Sequence, residues 1–174
     1  MPDALLLVRQ IVLLALAIVC VYTDLSRNKI YNAVTLPALA TGLILAILLD
    51  GAMAGHPHLI GSAIGILLGG GLLFLVHLAG GLGAGDVKLM AAVGALGGTW
   101  QFVVLALMYT ALVGAAIAAG VLIWRGRFWR GLKDSARTLF TFRRSSRNDT
   151  PTITIPYGVA IGIGVLWAWL EMVV

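Results

Sequence analysis

The chain alternates long apolar runs with short polar breaks, and the pattern repeats six times. Runs over residues 4–23, 33–49, 59–79, 101–123 and 153–173 are long enough to predict membrane helices, at about 20 apolar residues per span. A shorter run covers 87–98. From Asp86 to Trp124 the only other charged residue is Lys88, and one unbroken helix of that length would rise roughly 55 Å against a hydrocarbon core of about 30 Å. Gly97-Gly98-Thr99-Trp100 supplies the break, two helix-weakening glycines before an interfacial tryptophan. The fourth helix is then about 18 Å long, enough for a thinned bilayer or half of a normal one. The pattern therefore predicts an all-α, polytopic membrane protein with six transmembrane helices, the fourth short, in one membrane-embedded domain over residues 1–174.

The connection 124–152 is the one long polar segment. Phe128, Trp129, Leu132, Leu139 and Phe140 recur at spacings compatible with one helix face, with Arg130, Lys133 and Arg137 between them. This predicts an amphipathic helix on the membrane surface that binds anionic membrane lipid; a solvated basic loop that only sets topology is the alternative. The polar stretch from Ser145 to Pro151 reads as a flexible lead into the last helix. No internal repeat stands out, and the N-terminal apolar stretch, which carries Arg9, has the length of a retained span rather than a cleavable signal.

Charge sharpens the topology. Of 12 lysines and arginines, only Arg9 falls on one side of a six-span scheme. Arg27, Lys29, Lys88 and the basic residues of 124–152 fall on the other. The positive-inside rule places those connections in the cytoplasm and both termini outside. Merging the fourth and fifth helices would expel the most basic loop. With 60% hydrophobic and 11% charged residues, the composition excludes an ordinary soluble domain. The net charge of +5 is grouped at membrane edges, which favours anionic lipid over a nucleic acid backbone. Cys20 is the sole cysteine, so an intrachain disulfide and a cysteine-based zinc site are excluded.

Against that background two acids stand out. Asp24 ends the first helix and Asp86 begins the fourth, so the six-span scheme puts both on one side at one depth. Ionisable groups there are costly and carry a functional hypothesis by default. Two carboxylates a few ångströms apart resist double ionisation and share a proton. One takes a proton from attacking water while the other donates to a peptide carbonyl, with no metal, cofactor or nucleophilic side chain. Gly83 and Gly85 remove side chains where the backbone approaches its neighbours or a substrate. Taken singly, Asp24 reads equally as a wet interfacial acid paired with Arg27 or Lys29, and Asp86 as an N-cap or dipole partner of the helix it opens.

The run Gly83-Ala84-Gly85-Asp86-Val87-Lys88 resembles the GxGD signature, with its trailing lysine, of type IV prepilin peptidases. Asp24 to Asn32 resembles the family segment in which an aspartate precedes a basic turn ending Ile-Pro-Asn; Tyr31 replaces the proline, while Asp24 and Asn32 stay in register. Pro156-Tyr157-Gly158 resembles the opening of the last helix in the short peptidases of tight-adherence (Flp) pilus systems. The resemblance implies a membrane aspartyl endopeptidase with Asp24 and Asp86 as its catalytic pair. Its substrate would be a pilin or pseudopilin precursor, cut after a glycine at the cytoplasmic face of the bacterial inner membrane. Larger members carry a cysteine-rich insertion between the first two helices and also methylate the new N-terminus. Residues 25–32 leave no room for that insertion, so peptidase activity alone is expected.

The remaining polar residues add little. Lys88 projects to a different helix face from Asp86, to snorkel to head groups or reach back to a carboxylate. His77 reads as a packed or hydrogen-bonded histidine. His56-Pro57-His58 lies on the opposite turn, and Pro37-Ala38-Leu39 matches the presenilin Pro-Ala-Leu motif in the wrong helix. A proton- or ion-coupled transporter, or a presenilin-like intramembrane protease, are the competing readings. The carrier reading expects two related halves and acids at mid-span, and this chain has neither.

Overall fold

The computed structural model describes residues 2–52, 58–124 and 157–173. They form six α-helices: α1 Pro2–Arg27, α2 Asn32–Ala52, α3 His58–Leu78, α4 Ala84–Gly97, α5 Trp100–Trp124 and α6 Tyr157–Val173. There is no strand among the described residues. The sequence-based segments differ from these helices only at their ends. The segment 125–156, with the expected surface helix, its basic residues and Pro156, lies outside the described residues, as does His56.

Helices α1, α2, α3 and α5 are each long and apolar enough to cross a bilayer. The α4 helix has 14 residues, about 21 Å at 1.5 Å per residue, and α6 has 17. Large apolar side chains such as Leu67, Leu75, Ile18 and Leu112 are bare on the outside. Exposure on that scale needs hydrocarbon rather than water around it. The protein is a multi-pass membrane protein.

The short helix is the centre of the bundle, since α4 packs against all five others. Its Leu89, Met90, Ala92, Val93, Ala95 and Leu96 are all buried. A helix apolar on every side is one buried on every side, which explains why it shows no polar face. Its closest partner is α3, where Gly61, Gly65 and Gly69 repeat every four residues along one stripe. A Cβ on Gly65 would run into the Gly94 carbonyl, and one on Gly94 into the carbonyl of Gly65. The backbones touch there, as small-residue stripes permit in lipid. Gly65→Leu is therefore expected to drive α3 from α4 and to lower the thermal unfolding midpoint in detergent by several degrees. Gly71→Leu, with nothing within 4 Å of its Cβ position, is expected to leave the midpoint within about a degree or two of wild type.

Arg9 explains how α4 can stop inside the bundle. Gly98 adopts the left-handed conformation, φ 76°, and ends the helix. Terminal carbonyls left there without water would be costly. Arg9, only 4% exposed, donates through Nη2 to the Ala95 carbonyl (2.8 Å) and to Ser62 Oγ (2.6 Å). Ser62 Oγ donates to the same carbonyl at 2.9 Å. The lone basic residue on its side of the charge map is thus a cap on the negative end of the α4 dipole. Cys20 is packed in the apolar core.

Candidate active site

Asp86 is aimed by the way α3 ends. Gly80, at φ 84°, takes the left-handed conformation that glycine adopts without penalty. Gly81 N–H donates to the Val76 carbonyl and Gly80 N–H to that of His77, the paired bonds of a Schellman turn. His77 Nδ1 then meets the Leu82 carbonyl at 2.7 Å, tying the loop down just ahead of α4. This is the hydrogen-bonded histidine expected from sequence. The helix begins at Ala84, so Asp86 sits in its first turn rather than before it. One carboxylate oxygen, Oδ2, accepts the Gly83 N–H at 3.1 Å.

Asp24 lies in the last turns of α1, because that helix runs on to Arg27. Asn28 reverses the chain at φ 49°, with its N–H on the Asp24 carbonyl at 2.9 Å; asparagine tolerates this conformation better than most residues. The carboxylate does not pair with Arg27, which donates to the Tyr31 hydroxyl instead. It faces α6. Oδ2 accepts the Val159 N–H at 3.1 Å, and the Gly158 N–H bonds the same carboxylate. Asp24 therefore caps the first turn of α6, at the positive end of its dipole.

The two carboxylates are buried, at 6% and 9% exposure for Asp24 and Asp86. They come from different helices that pack together, and they interact electrostatically. Gly85 lets α4 approach the turn between α1 and α2, since a Cβ there would sit 3.0 Å from that of Ile30. Gly83 supplies the amide to Asp86, and Gly158 lies against Asp24. Lys88 and Asn32 stand beside this centre: Nζ donates to Asn32 Oδ1 at 3.0 Å on the exposed rim. Lys88 neither reaches back to a carboxylate nor stands as a free snorkelling cation; it joins α4 to the start of α2. Tyr157 opens α6 and lies against α5 at Gly114. Sequence reasoning did not foresee the Val159 amide, because a backbone donor leaves no side-chain trace. The only hint was a proline-led helix start, which places free N–H groups at its first turn.

The model of the type IV leader peptidase family matches residues 11–119. The chain belongs to that family. The relatives it is similar to include the prepilin leader peptidase/N-methyltransferase of Aeromonas hydrophila, 35% identical over 107 residues, or 60% of this chain and 36% of the relative. The protein of the same description from Aeromonas salmonicida (strain A449) matches with the same identity and coverage. The chain thus spans little more than a third of the length of these relatives. No solved structure matches. Both aspartates fall within the part matched by the leader peptidase family, whereas α6, whose first-turn N–H groups bond the Asp24 carboxylate, lies beyond it.

Proposed function

We propose that this member of the leader peptidase family is an aspartic endopeptidase that removes the leader from type IV pilin-like precursors, with Asp24 and Asp86 as its dyad. The observation that supports the reading is a pair of buried carboxylates on two packed helices at one end of the bundle, near enough to act on each other electrostatically. Asp24 accepts two backbone N–H groups at the positive end of α6, and Asp86 accepts one. Donors and a favourable dipole support the charged form, so Asp24 holds the negative charge and Asp86 the shared proton. Asp24 takes a proton from water as the oxygen attacks the peptide carbonyl. Asp86 donates its proton to the carbonyl oxygen. Collapse of the tetrahedral intermediate returns a proton to the departing amine. The chemistry needs no metal or cofactor.

The substrate assignment rests on the family and on the ordered motifs of the sequence. The relatives' printed description also includes N-methyl transfer. For this chain we propose cleavage alone, since four residues separate α1 from α2 and leave no room for an inserted domain between them. Incubation of the purified protein with a pilin precursor, with mass spectrometry of the products, tests the assignment. One cut after the glycine that precedes the pilin helix is expected, and an intact precursor rejects it.

The orientation follows from charge. The basic segment 125–147 would face the cytoplasm and contact anionic lipid of the inner membrane, with both termini periplasmic. A reporter fused within 125–152 is expected to be active only if it is a cytoplasmic reporter; a periplasmic signal there rejects the six-span orientation.

A further inference from the structure

Fifteen residues before Asp24 on α1 (24 − 9), or about 22 Å along the helix, Arg9 occupies the other end of the bundle. Its Nη2 is engaged by Ser62 and Ala95, but its buried Nε–H has no partner. Trp169 on α6 is in the same condition, its indole N–H buried and without a partner. Both residues wall one cavity of about 210 Å³. Buried donors without acceptors are costly and rare. Two of them on one cavity, both donors, call for a ligand that supplies acceptor oxygens.

The charge balance points the same way. Asp50 acts on Arg9 electrostatically, but its two carboxylate oxygens are taken by the N–H groups of His58 and Leu59 at the start of α3. A guanidinium in a membrane bundle is costly to hold unless an anion contacts it directly. Gln10, His58 and Thr99 add polar groups to the wall, and Leu6, Leu13, Phe102 and Met172 give it an apolar side on which an acyl chain can lie. The volume matches about seven waters at roughly 30 Å³ each, enough for a phosphate and its first carbons.

We propose that this cavity binds the phosphate head of an anionic phospholipid, with Arg9 Nε and Trp169 Nε1 as donors and the chain laid on the apolar wall. The shared chemistry is a phosphate anion; the tail distinguishes a lipid from free phosphate. Bound there, the lipid would bridge α1 and α6 across the end of α4.

The full chain in nonionic detergent, titrated with phosphatidylglycerol and followed by native mass spectrometry, tests this. Phosphatidylcholine and inorganic phosphate serve as comparison probes. Wild type is expected to retain one phosphatidylglycerol that Trp169→Phe holds about tenfold more weakly, the effect of one lost hydrogen bond to an anion. Arg9→Gln is expected to lose it altogether. Because Arg9 also caps α4, Trp169→Phe, which leaves that cap untouched, carries the test if Arg9→Gln does not fold. Lipid held by the basic segment 125–147 is common to all variants and cancels in the comparison. Equal retention of phosphatidylcholine, or unchanged binding in Trp169→Phe, overturns the site. Displacement of the lipid by millimolar inorganic phosphate overturns the lipid assignment.

Discussion

Asp24→Asn and Asp86→Asn are each expected to abolish cleavage of a pilin precursor, with a loss of about 10³-fold or more, within the range for removing a general acid or base. Asparagine has the same size and keeps an oxygen for the Val159 N–H at Asp24 or the Gly83 N–H at Asp86. Neither variant should lose helicity or the position of its elution peak, so a loss of activity reports on proton transfer. The double variant is expected to be no worse than either single one, because in the proposed mechanism the carboxylates act as one unit and their effects do not add. A folded Asp24→Asn that cleaves at the wild-type rate would remove the dyad. The same outcome would revive the carrier reading, in which buried acids move ions instead of activating water.

That pair is legible in the chain because a carboxylate beside an apolar run is rare, and because six apolar runs separated by glycine or charge fix which end each acid occupies. The break at Gly97–Trp100 is equally legible, and the left-handed Gly98 realises it. The centrality of α4 is not. A helix apolar on all sides carries no periodicity to say what surrounds it, and only the packing of five neighbours reveals it. The four-residue spacing of Gly61, Gly65 and Gly69 can be read in the chain, but glycine is so common in membrane helices that the stripe does not stand out. Arg9 is visible as the exception to the charge map; its reason depends on a carbonyl 86 positions away. The contact between Asp24 and α6 is hidden in the same way, since it joins a side chain to main-chain donors 135 residues later.

This last contact makes Gly158→Ala a sharper probe of the site than its size suggests. A Cβ at position 158 would stand 2.8 Å from Asp24 Oδ2, 2.9 Å from Cγ and 3.0 Å from Cβ. Those separations are below contact, so either α6 shifts outward or the carboxylate turns away from the Val159 N–H. Both responses leave the bundle intact, because the remaining α6 core residues Ala160, Ile161, Val165 and Ala168 still pack beneath. Both move the oxygen that would take the proton from water. Displacement by an ångström costs a pre-positioned reaction about 10²-fold. If the start of α6 serves only to hold Asp24, the expected result is a kcat lowered by about that factor with KM nearly unchanged. Gly120→Ala, at a helical glycine with nothing within 4 Å of its Cβ position, should keep full activity and controls for a general effect of glycine replacement. If Gly158→Ala instead raised KM and spared kcat, the α6 start would be reading the leader rather than holding Asp24. Full activity would mean that the N–H groups of α6 are not what positions the carboxylate.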